Sequence, residues 1–97
     1  MSDENTNEDA MVFIIVGRVW EEDKLGQDDA IVVNLLVRAA DEDDAVRQGL
    51  EALAEDSYAE AEFERIGVLD EAPSEKPFDA AYADALQGVV AVIAFNE

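Results

Sequence analysis

Carboxylates are the side chains this chain has in quantity for chemistry. It holds 25 Asp and Glu against 6 Lys and Arg, with neither histidine nor cysteine. Without those two residue types no Ser–His or Cys–His nucleophile pair can form, and no group has an unperturbed pKa near neutrality. The thiolate and imidazole ligands that hold zinc are missing too. Carboxylate pairs can exchange protons, but among so many of them proximity singles out none. The acidic clusters Glu21–Asp23, Asp28–Asp29 and Asp41–Asp44 offer oxygen ligands for Ca²⁺ or Mg²⁺. None carries the alternating ligands, central glycine and terminal Glu of an EF-hand loop, and helix capping and loop solvation account for them. The glycines at 17, 26, 49, 67 and 88 are too scattered to cradle a phosphate. Neither an enzyme nor a cofactor or metal site is expected.

The residues that could instead support binding lie on two β-rich runs. Met11–Trp20 is apolar through its first six residues, and Ala30–Ala39 is the next such run. In a strand, alternate side chains share a face. Arg18 therefore shares a face with Val12, Ile14, Val16 and Trp20, while Asn34 and Arg38 share one with Val32 and Leu36. Taking the polar residues to mark the outer side leaves Phe13, Ile15, Val19, Ile31, Val33, Leu35 and Val37 for the core. The outer face then holds Val12, Ile14, Val16, Arg18, Trp20, Val32, Asn34, Leu36 and Arg38, joined by Val90 and Val92 from the last strand. An apolar centre with Arg and Trp beside it is the composition of an interface. Equally, the arginines can pair with Glu60, Glu62 or Glu64 across the sheet, with the valines simply favouring a strand.

The rest of the chain supplies the elements that must position this face. The stretch Ser2–Asp9 is polar and acidic, so residues 1–9 are expected to be a disordered tail and 10–97 a single domain. The two β-rich runs, joined through a loop containing Gly26, predict an antiparallel hairpin. A helix follows over about Asp41–Tyr58, with Asp41 as N-cap and Val46, Leu50, Leu53 and Ala54 as its buried stripe. Gly49 beside that stripe suggests a close approach of helix to sheet that a Cβ would obstruct. Ala59–Asp70 reads as a third strand in which Ala59, Ala61 and Phe63 alternate with Glu60, Glu62 and Glu64. Ile66 and Val68 break that phase, so a bulge or twist around Glu64–Gly67 is expected to restore it. The glutamates suit an edge. After a linker carrying both prolines, Phe78, Ala81, Tyr82, Ala85 and Leu86 mark a second helix, about Phe78–Gln87. Pro77 suits its start, Gly88 its end, and Val89–Phe95 is the final strand.

These elements give an α+β fold of order β-β-α-β-α-β: most economically a two-layer sandwich with both helices on one face of a four-stranded, mainly antiparallel or mixed sheet. A strand order of 2-1-4-3 would put the glutamates at an edge. Met11–Val16 and Val89–Phe95 are apolar on both parities, which a sheet with one wet face should not show. Either one helix goes to each side, or a partner covers the second face.

The net charge of −19 sets the remaining expectations. It repels nucleic acid and anionic membranes, which need Lys and Arg for neutralisation. A solvated, aggregation-resistant surface explains it, as does adaptation to high salt, in which ions screen the self-repulsion. The scarcity of lysine (Lys24 and Lys76 only) fits the latter. No apolar run approaches membrane-spanning length. The N-terminal stretch lacks the basic region and apolar core of a secretory signal, so a cytoplasmic protein is expected. The leading expectation is a non-enzymatic protein-interaction domain that forms a homodimer or binds a protein partner through the outer sheet face. One alternative is an acidic inhibitor or immunity-type protein that meets a basic target with its acidic loop, Asp79 and Asp84. The other is a small-ligand or anion binder using Arg18, Arg38 and Trp20.

Overall fold

The computed structural model describes residues 11–23 and 26–95; the expected N-terminal tail lies outside them. Four strands, β1 (Met11–Glu21), β2 (Ile31–Ala39), β3 (Tyr58–Leu69) and β4 (Ala91–Phe95), form one sheet with two helices, α1 (Glu42–Glu55) and α2 (Phe78–Leu86). The α+β class and the β-β-α-β-α-β order are those the periodicities indicate. Every strand pair is antiparallel. A short 3₁₀ turn, Gln27–Asp29, lies in the β1–β2 loop.

The strand order is β3-β1-β2-β4, not 2-1-4-3. β1 is central as expected, and the glutamate-bearing β3 is an edge. β4, however, is the opposite edge. The β1–β2 hairpin occupies one side of β1 and β3 the other, which excludes β4 from β1, and β4 pairs with the free side of β2 rather than with the glutamate-bearing edge of β3.

The layering also differs from two helices on one face. Phe13, Ile15, Val19, Val33, Leu35 and Val37 form the main core with Ala45 and Leu53 of α1. Val12 and Leu36 point the opposite way and pack with Ala81 and Ala85 of α2. One helix therefore stands on each side of the sheet. This explains why β1 and β4 are apolar on both parities: both faces of the sheet bury side chains.

The phase break in β3 is a bulge. Val16 pairs with Arg65 while Gly17 pairs with Phe63, leaving Glu64 as the extra residue. Phe63 and Ile66 both reach the α1 side as a result. Gly17 is what allows the chains to approach there. A Cβ on it would lie 2.4 Å from the Glu62 carbonyl oxygen and 3.0 Å from Phe63 Cα.

Helix ends follow local chemistry. The Asp41 side chain accepts the Asp44 N–H at 2.8 Å, the bond an N-cap supplies. Helix α2 closes with Gly88 N–H donating to Ala85 O and Val89 N–H to Asp84 O. That double bond pattern needs a left-handed residue, and Gly88 has φ +94°.

The buried stripes are narrower than the apolar pattern implies. In α1 they run through Ala45, Gly49 and Leu53, with Ala54 exposed and Leu50 46% exposed. In α2, Ala81 and Ala85 are buried, while Leu86 is 48% exposed. Leu53 apart, small residues face the sheet because the large side chains come from the sheet itself. Leu35 and Phe63 fill the space under Gly49. A Cβ on Gly49 would meet them at 3.4 Å each, and Ile15 at 3.6 Å, which is contact rather than overlap. The expectation that a Cβ is obstructed there is therefore corrected. Gly49→Ala is expected to raise stability by about 0.5–1 kcal/mol through helix propensity, measured as a higher midpoint in urea; a lower midpoint would contradict this packing.

Candidate functional site

The second face of the sheet is a grid of rows running from β3 to β4. The top row is Leu69–Val12–Arg38, followed by Gly67–Ile14–Leu36–Ala91. Below these lie Arg65–Val16–Asn34–Ile93 and then Glu62–Arg18–Val32–Phe95. Helix α2 packs mainly on β2 and β4. Its first residue, Phe78, has its ring centroid 6.5 Å from that of Phe95. At its other end, the Leu86 carbonyl accepts from Arg38 Nη1 at 3.5 Å.

This placement divides the nine expected interface residues. Val12 and Leu36 are 3% and 0% exposed under α2 and leave the binding surface. Ile14 packs at the margin of the same cluster. Arg38 sits at the C-terminal end of α2, where a cation favours the helix dipole. What stays open is the lower part of the grid: Val16, Arg18, Trp20, Asn34 and Val32. Phe95, the register partner of Val32, joins them. Val32 and Phe95 are 45% and 42% exposed. Val90 and Val92 do not belong here. Val92 pairs with Leu35, so both face the α1 side.

Arg18 is held rather than free. Its Nη2 donates to Glu62 Oε1 at 2.8 Å, and its Nε lies 2.7 Å from Glu64 Oε2, an ionic contact without hydrogen-bond alignment. Glu62 is the register partner of Arg18 and Glu64 is the extra residue of the bulge, so the bulge brings two acids to one arginine. The guanidinium also lies 5.9 Å from the Trp20 ring centroid, within cation–π range. Trp20 in turn donates its Nε1–H to the Gly26 carbonyl at 2.9 Å, pinning the β1–β2 loop. With two carboxylates on Arg18, this corner carries net negative charge. No protein-family model matches the chain, and no curated protein or solved structure shows a significant similarity to it.

The other side of the sheet holds a feature that the linear sequence did not reveal. Helix α1 packs on β1, β2 and β3 and leaves a cleft of about 340 Å³ beside β4. Glu51, Glu55 and Asp56 line its helix side, and Val89, Val90 and Val92 its strand side. Two signals were in the sequence: Glu51 and Glu55 at helical spacing, and a last strand without a single charge. Nothing in the linear pattern places them side by side. Among the described residues, no three acidic side chains converge as a cation site.

Proposed function

We propose that this protein is a non-enzymatic, cytoplasmic protein-interaction domain that self-associates through the uncovered lower part of its second sheet face. The observation that carries this reading is the exposed pair Val32 and Phe95, adjacent in register, with the partly buried Val16 diagonal to Val32. In a monomer Val32 and Phe95 stay wet, although α2 covers the rows above and its Phe78 reaches the Phe95 ring. A second copy burying it gains the hydrophobic contribution of that area. The ion-paired Arg18 and the indole of Trp20 form a polar rim, as interfaces have.

Anion or small-ligand binding draws less support. Arg18 already engages two carboxylates, and Arg38 lies at the far end of the face.

Charge sets the conditions. Two bodies of net charge −19 repel, and salt screens that repulsion within about 10 Å at 0.1 M. Self-association should therefore strengthen as salt rises. Light scattering coupled to size exclusion is expected to show a dimer that grows with protein and salt concentration. Val16→Glu and Val32→Glu should each leave a folded monomer. A wild-type monomer at millimolar protein and molar salt would refute the reading.

No helix of the described residues is long and apolar enough to cross a membrane.

A further inference from the structure

The two edges of the sheet are treated very differently. β3 carries Glu60, Glu62, Glu64 and Arg65 along its length, and charge on an edge strand discourages pairing with another chain. β4 has no such guard: from Val89 to Phe95 every residue is apolar. Among the described residues its outer edge is unpaired, and that row of backbone donors and acceptors is open to a further strand. Helix α1 does not shield it. Instead the helix presents Glu51, Glu55 and Asp56 across the cleft from Val90 and Val92. No lysine or arginine lines that cleft. Arg47 Nη1 lies 3.9 Å from Glu51 in a pair with both side chains well exposed, too loose to neutralise the wall.

We infer that the outer edge of β4 takes an extended, basic segment of a partner protein as a fifth strand. The main chain of the segment pairs with β4. Its alternate side chains enter the cleft, where Lys or Arg meets Glu51, Glu55 and Asp56 while their aliphatic stems lie on Val90 and Val92. The charge of the cleft chooses the occupant. A second copy added edge to edge brings another body of net charge −19 to the same place, whereas a basic strand meets complementary charge and is steered towards it. This surface lies at the α1 side and edge of the sheet. The cleft opens on the opposite face of the sheet from Val16, Val32 and Phe95; the two surfaces adjoin only where Phe95 ends β4, and strand addition at the edge does not depend on self-association there.

The test uses a fluorescein-labelled peptide of about ten residues alternating lysine and valine, titrated with the full chain at low salt and followed by anisotropy. Saturable binding is expected. It should weaken by about tenfold or more in the double variant Glu51→Lys, Glu55→Lys, and stay unchanged in Val32→Glu. Both glutamates are exposed, so circular dichroism should report an intact fold. A second peptide of the same charge, N-methylated at two consecutive residues near its middle, loses a hydrogen-bond donor on both of its strand edges and should bind at least about tenfold more weakly. Equal binding of the two peptides would reduce the effect to general electrostatics and overturn the inference. So would an unchanged affinity in the double variant, or no binding at low salt. A dimer of the chain that only the double variant alters would assign the edge to a second copy instead.

Discussion

Replacing Leu36 with Glu is expected to abolish the fold. Leu36 is completely buried beneath Ala81 and Ala85 of α2. Removing such a side chain alone costs about 2–5 kcal/mol, and an unpaired carboxylate in the same place adds several more. A domain of this size has roughly 5–15 kcal/mol in all. Far-UV circular dichroism should show loss of native structure or a sharply lowered melting temperature. Val32→Glu is the matched control. It lies on the same strand and face, two rows below, but it is 45% exposed, so the fold should survive. From the sequence alone Val32 and Leu36 both belong to the outer face, and Leu36→Glu, like Val16→Glu, would be chosen to break a dimer. A stable, soluble Leu36→Glu variant would show that α2 does not cover this face.

Gly17→Ala is the second large effect. The added Cβ would meet the Glu62 carbonyl oxygen at 2.4 Å, and a main-chain atom cannot rotate aside. Relief requires β3 to move away from β1, at the bulge that sets the facing of Phe63 and brings Glu62 and Glu64 to Arg18. A loss of about 1–3 kcal/mol is expected, equivalent to about 4–8 °C of melting temperature per kcal/mol in a chain of this length. Gly67 lies on the same β1–β3 ladder, paired with Ile14, yet a Cβ there meets nothing within 4 Å. Gly67→Ala should therefore leave stability unchanged or improve it. Equal melting temperatures for the two variants would remove the steric account of Gly17.

The elements were legible in the sequence because each rests on short-range physics. Apolar, β-rich runs located β1, β2 and β4, period-two alternation located β3, and Asp41 and Gly88 marked helix ends through capping chemistry that acts within a few residues. The bulge was legible as well, since the glutamates and the later Ile66 and Val68 cannot share one phase without an extra residue. The pairing of Arg18 with Glu62 and Glu64 was one of two readings, and the register decided in its favour. Helix stripes were less legible. The apolar pattern favours Val46 and Leu50, but the space under α1 is filled by Leu35 and Phe63 from the sheet. Only small residues fit above them, so Ala45 and Gly49 face inward and Leu50 turns out.

By itself the sequence determined the α+β class, the element order, the inward set on β1 and β2 and the acidity of the surface. All of these follow from composition and from contacts within or between adjacent elements. Tertiary structure alone decided where β4 goes, which face each helix covers and hence which residues remain open. Strand order depends on which edges are free when the later segments arrive. An apolar face reads the same in the sequence whether a helix of the chain or another protein lies against it. Val12, Ile14 and Val16 illustrate the point: three equivalent positions on one strand, of which α2 buries the first, packs at the margin of the second and leaves the third outside its cluster.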